Sequence, residues 1–261
     1  MARRDLTDGR ALVTGASSGI GQAMATELAR CGVDLVLVAR RAERLEQVVS
    51  QLSSCGRTVL PVVGDVTTPA VRHRALELAR DQLGGLDLLV NNAGISAHGR
   101  FVDAADDRLR QIMEVNFFAA AQLMREALPL LQQGRQPMVV NVGSVLGHRG
   151  LPFTSDYCAS KFALHGFSEA VRPELKRLGI DVLVIAPATT RTELNDQLIE
   201  KTGERPWREP RGVSPDHVAR AAVRAIRHGR REIVPSWSGW WLLALNRFFP
   251  SIVDRIVDRY G

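Results

Sequence analysis

In the stretch YCASK, Tyr157 and Lys161 stand four residues apart, and the chain continues in a helical pattern, FALHGFSEAVRPEL. Four residues make about one helical turn, so the two side chains share a face. The chain has three lysines against 31 arginines, and one of the three sits beneath a tyrosine. A free phenol titrates near ~10, and a neighbouring ammonium favours its phenolate. The pair therefore has the make-up of a proton-exchanging site. Standing alone, it would equally suit an incidental surface pair.

A second candidate is TGASSGIG, residues 14–21. It follows an apolar run and opens a helical pattern. Gly15, Gly19 and Gly21 allow a tight turn and a close backbone approach. Ser17, Ser18 and Ile20 lie where helix N-terminal amides would meet a pyrophosphate. The strand–turn–helix setting makes this a dinucleotide cradle rather than a plain turn. About twenty residues on, an acidic side chain would bind the ribose 2′-hydroxyl of NAD. The chain there reads VLVARRAERL, with Arg40 nineteen residues after Gly21 and Arg41 next to it. Two cations at a helix start call for an anion, so we read NADP(H) as the cofactor, with NAD(H) less favoured. The competing reading is a solvated helix start.

The elements that must carry these residues alternate regularly. ALVTG, DLVLVAR, TVLPVVGDV, LDLLVNNAG, PMVVNVGS, IDVLVIAP and REIVP read as seven strands. The first six have the Val/Leu/Ile content of strands buried on both faces. Between them run helical patterns that end at glycines such as Gly32 and Gly56. The expectation is a doubly wound α/β fold with a mainly parallel seven-stranded sheet and helices on both faces. It forms one catalytic domain over 1–235. Residues 188–214 form a polar insertion, read as a lid. Residues 236–261 form an extension rich in aromatics and arginine.

Composition narrows the setting. The formal charge is +6, with basic residues spread through the chain, which argues against a nucleic-acid role. Three cysteines without C-x-x-C spacing suggest reduced thiols and a cytoplasmic protein. No secretory leader and no span long enough for a bilayer are read. The six histidines show no metal-ligand spacing, so no metal is expected.

Together TGASSGIG, the NNAG at 91–94, Asn116, Ser144 and YCASK resemble the short-chain dehydrogenase/reductase family over about residues 8–235. The resemblance implies a Rossmann fold and reversible hydride transfer between NADP(H) and a carbonyl/alcohol pair. It implies Tyr157 as general acid–base, its pKa lowered by Lys161 and the cofactor ring; a three-unit depression needs about 4 kcal/mol. Lys161 would also bind the nicotinamide ribose. Ser144 would orient the substrate oxygen, and Asn116 would hold a water that relays protons to Lys161. Asp65, with Val66, would place the adenine; Asn91, Asn92, Ala93 and Gly94 would wall the adenine-ribose side. PATTRT at 187–192 would lie beside the nicotinamide through Pro187, Thr189 and Thr192. Ala188 stands where the family commonly has glycine, and NVGS replaces the frequent pair of serines.

Around this set, Cys158 is read as packing, and His148 and Arg149 as loop residues that are solvated or border substrate. Arg191, Arg205, Arg208 and Arg211 in the lid would suit an anionic substrate; an apolar ketone, aldehyde or steroid-like alcohol fits equally. The tail suits a flap over the substrate mouth or a subunit contact, with packing on the body or a partner subunit ranked above weak peripheral membrane contact. The family resemblance suggests a homodimer or homotetramer, with Ala159, Ala163 and Gly166 giving a close-approach helix face. A nucleotide-binding regulator or scaffold without turnover is the alternative function.

Overall fold

The computed structural model describes residues 4–195, 197–202 and 212–260. Seven strands form one sheet: β1 (Arg10–Thr14), β2 (Asp34–Ala39), β3 (Val59–Val63), β4 (Leu88–Asn91), β5 (Met138–Val142), β6 (Asp181–Ile185) and β7 (Glu232–Ile233). Their order is β3-β2-β1-β4-β5-β6-β7, and every pairing is parallel. The expected seven strands are all present, though β7 keeps only two residues. The polar ends of the apolar runs, GDV, NAG and GS, leave the sheet as loops.

Strand side chains alternate between faces, and each face meets its own helices. Ala11, Val13, Leu35 and Leu37 pack with α1 (Gly19–Arg30), α2 (Ala42–Ser53) and α7 (Pro215–Arg227). Leu12, Val36, Leu89 and Val139 pack with α3 (Pro69–Asp81), α5 (Ala119–Leu131) and α6 (Ser155–Arg177). Both faces are thus buried, which is why the central strands read as near-continuous apolar runs.

β1 lies between β2 and β4, so the chain reverses its winding between β1 and β4. A crevice opens there beyond the strands' carboxyl ends. The glycine turn follows β1 and residues 92–94 follow β4, so the two lie side by side at its mouth, joined by Asn92.

Two segments depart from the regular layers. α4 (Arg108–Met113) passes through one π turn, Glu114–Phe118, into α5. The 188–214 segment is pinned at its base by a Thr190–Val213 bridge and further along by a His98–Lys201 bridge. Arg205, Arg208 and Arg211 fall outside the described residues. After β7 the tail forms α8 (Trp237–Phe248) and α9 (Pro250–Val257). Pro250 opens α9 at a position where no backbone N–H is needed. Among the described residues no helix is long and apolar enough to cross a membrane.

Candidate active site

Tyr157 and Lys161 lie on the first turns of α6, facing the crevice. Lys161 is buried, its Nζ donating to the Val142 carbonyl at 2.9 Å and standing 5.6 Å from the Tyr157 ring centre. Ser144 leaves β5 in extended backbone and caps the short 3-10 turn Val145–Gly147. Its Oγ accepts from the Leu146 amide at 3.1 Å and donates to the Pro187 carbonyl at 3.4 Å. Gly147 is what lets this loop touch α6: a Cβ there would sit 2.7 Å from the Lys161 carbonyl oxygen. Ser144 from the end of β5 and Tyr157 and Lys161 from α6 therefore converge.

Electrostatics differ from the expected depression of the tyrosine. Burial pushes the Tyr157 phenol up to about 12, against the pull of a hydrogen bond from Ser144, with Cys158 adding to the rise. The ring is half-buried, so water at the cleft tempers that rise. Burial also lowers Lys161 to about 8. The lysine ammonium is held by a carbonyl and desolvated, so by itself it does not make the phenol acidic.

Asn116 sits in the π turn, a distortion frequent at functional sites. It is buried; its Oδ1 accepts from the Ile95 amide at 2.8 Å, and its Nδ2 donates to the Ile95 carbonyl at 3.0 Å and Ser160 Oγ at 2.9 Å. A Cβ on Gly94 would lie 3.2 Å from Asn116 Oδ1 and 3.8 Å from Lys161 Nζ. Gly94 therefore keeps open the space that joins the asparagine to the lysine.

The glycine turn fits a dinucleotide's phosphates. Gly15 and Gly19 have positive φ, 65° and 57°, and no side chain caps the first turn of α1, which also lacks an acid. A Cβ on Gly15 would press on Asn92 Nδ2 and Ala93 Cα at 2.8 and 2.9 Å. Ser17, Ser18, Gly19 and Ile20 line a cleft of about 670 Å³. Gly21 stands behind it, where a Cβ would collide with the Gly15 carbonyl and Asn92 Nδ2. Asn92 steadies the turn by donating from Nδ2 to the Thr14 carbonyl at 2.9 Å. Asn91, below the cleft, starts a buried polar chain to Asn141 at 2.9 Å, continued from Asn141 to Ser168 at 2.8 Å.

Pro187, Thr189 and Thr192 line the same cleft, and the Thr192 methyl lies over Gly19. Asp65 and Val66 line it too. Asp65 Oδ1 already accepts from the Thr67 amide at 2.9 Å and its hydroxyl at 2.8 Å, so that oxygen holds the loop before α3. Arg40 is exposed and 3.8 Å from Asp65. Arg41 turns inward, donating to Ser18 Oγ at 2.7 Å and to Glu193 at 2.6 Å. Arg44 reaches the other Glu193 oxygen at 2.7 Å. These hydrogen bonds, led by Arg41, hold the Glu193 carboxyl below its ordinary range.

This arrangement has known counterparts. The family model for short chain dehydrogenase matches residues 10–203. The chain belongs to the short-chain dehydrogenase/reductase family. A hydroxysteroid 11-beta-dehydrogenase 1-like protein of Gallus gallus is 34% identical, covering 91% of this chain and 80% of that one. A short-chain dehydrogenase/reductase from Burkholderia phymatum, solved in complex with NAD, shares the fold with a TM-score of 0.86 at 24% identity, over 95% of this chain and 96% of that one. A short chain dehydrogenase from Burkholderia cenocepacia, solved in complex with NADP, aligns with a TM-score of 0.78 at 29% identity, over 88% and 97%.

In this family member the outer end of the cleft is apolar. Leu146 and Leu151 form one side; Leu242, Leu245, Val253 and Ile256 of the tail form the other. Gly239 allows the tail to seat, since a Cβ there would be 3.0 Å from the Val145 methyl. Arg149 ties it down through Asp254 at 2.7 Å and Asn246 at 3.2 Å. Arg149 is therefore mostly buried rather than a solvated loop residue. His148 likewise turns inward to Glu232 at 2.7 Å. Cys158 is buried packing, as expected.

Sequence reasoning missed the ion pairs that position these parts. Arg108 on α4 is buried, bonding Asp156 beside Tyr157 at 2.6 Å and Glu200 of the 188–214 segment at 2.7 Å. Partners 48 and 92 residues away leave no local signal. Glu193 and the group His148, His165 and Glu232 were missed for the same reason.

Proposed function

We propose that the protein is an NADP(H)-dependent oxidoreductase interconverting a carbonyl and a secondary alcohol, with Tyr157 as general acid–base. The observation that carries this reading is the convergence of Tyr157, Lys161 and Ser144 on one end of a cleft whose other end is a phosphate cradle. When bound, the nicotinamide supplies or accepts the hydride at its C4. In reduction Tyr157 gives its proton to the substrate oxygen, and the Ser144 hydroxyl orients that oxygen and stabilises its growing charge. Lys161 would bind the cofactor ribose and, with Asn116 across the space beside Gly94, would lead a replacement proton to the phenol. The first-turn amides of α1 would hold the pyrophosphate, Asn92 to Gly94 would wall the adenine ribose, and Asp65 and Val66 would flank the adenine.

Arg41 supports NADP over NAD. No carboxylate ends β2, and a guanidinium anchored to Ser18 stands where a 2′-phosphate would arrive. Glu193 must then yield Arg41 to the phosphate. The apolar outer cleft supports a lipophilic ketone or alcohol rather than an anionic ester. The reading extends to a cytoplasmic homodimer or homotetramer. The exposed Ala159 and Gly166 on α6 support it. Trp237, Trp241 and Phe248 are also exposed, which suits a second subunit or a weak membrane contact.

The test is a panel of ketones, aldehydes and quinones run with NADPH and NADH, on the native protein and Arg41→Ala. We expect turnover of an apolar carbonyl with NADPH. Losing a charge-assisted contact of about 1.5–3 kcal/mol should raise the NADPH KM by about 10–100-fold in the variant, with NADH little changed. Equal loss with both cofactors would remove the 2′-phosphate role. No turnover across a broad panel would remove the enzyme reading.

A further inference from the structure

We propose that His148, His165 and Glu232 form a binding site for a divalent transition-metal cation, zinc by its donor set, that joins the Ser144 loop, α6 and β7. His148 stands four residues after Ser144. His165 is one turn beyond Lys161. Glu232 opens the last strand.

The donor atoms of the three all lie within 4.8 Å of one another. His148 Nε2 is 2.7 Å from Glu232 Oε1, His165 Nδ1 is 3.9 Å from the same oxygen, and the rings are 4.0 Å apart, centre to centre. Donors about 2.0–2.2 Å from a tetrahedral zinc stand about 3.4 Å apart. Small side-chain rotations close the difference.

A plain His148–Glu232 hydrogen bond accounts for two of the three residues. It leaves His165 Nδ1 buried, without a hydrogen-bond partner and facing the cluster. The opposite nitrogen, Nε2, faces Glu169 at 3.6 Å. A carboxylate behind the non-ligating nitrogen is the arrangement that orients metal-bound histidines.

The charge around the group favours a borderline cation over a hard one. Glu232 is the single carboxylate donor, and Arg172 is near enough to act on both Glu232 and His165. Its own guanidinium is engaged elsewhere, with the carbonyls of Val182 and Arg231, both at 3.3 Å. Two imidazoles and one carboxylate suit zinc, whereas calcium and magnesium need more oxygen donors. All three residues are half-buried, leaving room for a water as fourth ligand.

Such an ion sits behind the reacting groups and touches none of them. It would fix the Ser144 loop against α6. That positioning role rests on the proposed function; metal uptake itself does not.

The experiment uses untagged full-length protein, stripped with chelator and titrated with zinc chloride by calorimetry, with cobalt(II) as a spectroscopic probe. The expected result is one equivalent bound at micromolar Kd or tighter and a visible cobalt band of a four-coordinate N/O site. His165→Ala and His148→Ala should each weaken uptake at least 30-fold. Glu169→Gln, behind the site, should weaken it about 10-fold. Melting curves without metal identify any variant that fails to fold; Glu232→Gln, nearly isosteric, then serves in its place and should also lose uptake. No stoichiometric uptake, or uptake unchanged in the folded variants, overturns the site. Uptake without any change in kcat or in the Ser144-dependent KM retains the site and overturns its positioning role.

Discussion

At the scale of single residues, burial outweighs pairing. The spacing of Tyr157 and Lys161 suggests an ammonium that acidifies a phenol. In the fold both groups lose water, the lysine falls to about 8 and the tyrosine rises to about 12. The spacing was legible in YCASK. The desolvation was not, because it comes from residues such as Val142 of β5 and Gly147 of the Ser144 loop, outside the motif. The sign follows directly. On the proposed mechanism reduction needs the protonated phenol, which persists across neutral pH. Oxidation needs the phenolate, whose fraction grows about tenfold per pH unit below its pKa. The kcat/KM for alcohol oxidation should therefore climb from pH 7 to 9, while reduction stays level until Lys161 loses its proton above about 8. Parallel pH profiles in both directions check this. Oxidation that falls as pH rises through that range would contradict it.

At the scale of elements, the tail acts as a wall of the cleft. Its composition allowed a flap, a subunit contact or a membrane segment. Which face turns inward depends on seats elsewhere, such as the Gly239 contact with Val145. The Arg149–Asp254 pair is a weak tether, because Asp254 is half exposed and such pairs give about 1 kcal/mol or less. Apolar contact from Leu242 and Leu245 counts for more. Removing two substrate-facing methylene contacts costs about 1.6 kcal/mol at ~0.8 kcal/mol each. Leu242→Ala/Leu245→Ala should thus raise the KM for an apolar substrate by about tenfold, with the NADPH KM unchanged. Steady-state kinetics with the best panel substrate decide it; an unchanged substrate KM would place the binding surface elsewhere.

At the scale of the whole molecule, the α/β alternation was readable because fully buried strands have an unmistakable apolar run. The strand order, and with it the place of the crevice, comes from the structure, because the same alternation suits more than one order. The long-range ion pairs were not legible either. One of them locks the sheet at the end away from the cleft. Arg10 binds Asp87 through two contacts, Nε at 2.9 Å and Nη2 at 2.8 Å, joining β1 to the start of β4. Burial is the largest influence on the Asp87 carboxylate and works against it; the hydrogen bonds from the Arg10 side chain and the Arg135 and Arg10 amides, with the Arg10 charge, together overcome it and hold the pKa below its usual range. A carboxyl lowered in the fold stabilises above its unfolded pKa, and that stability is lost as pH falls through the folded value. Asp87→Asn should cost about 3 kcal/mol near neutral pH. It should lower the melting temperature by about 5–10 °C and flatten the pH dependence of stability below about pH 4, with kcat/KM unaltered. Calorimetry against pH checks this; a variant with native stability and an unchanged acid limb would refute it.

The most direct test of the central claim is Tyr157→Phe assayed with NADPH and the best carbonyl of the panel, with NADPH binding followed separately by fluorescence. Loss of turnover by about a thousandfold with NADPH affinity within about threefold is the expected result. Turnover retained at the native rate would contradict the assignment of Tyr157 as the acid–base.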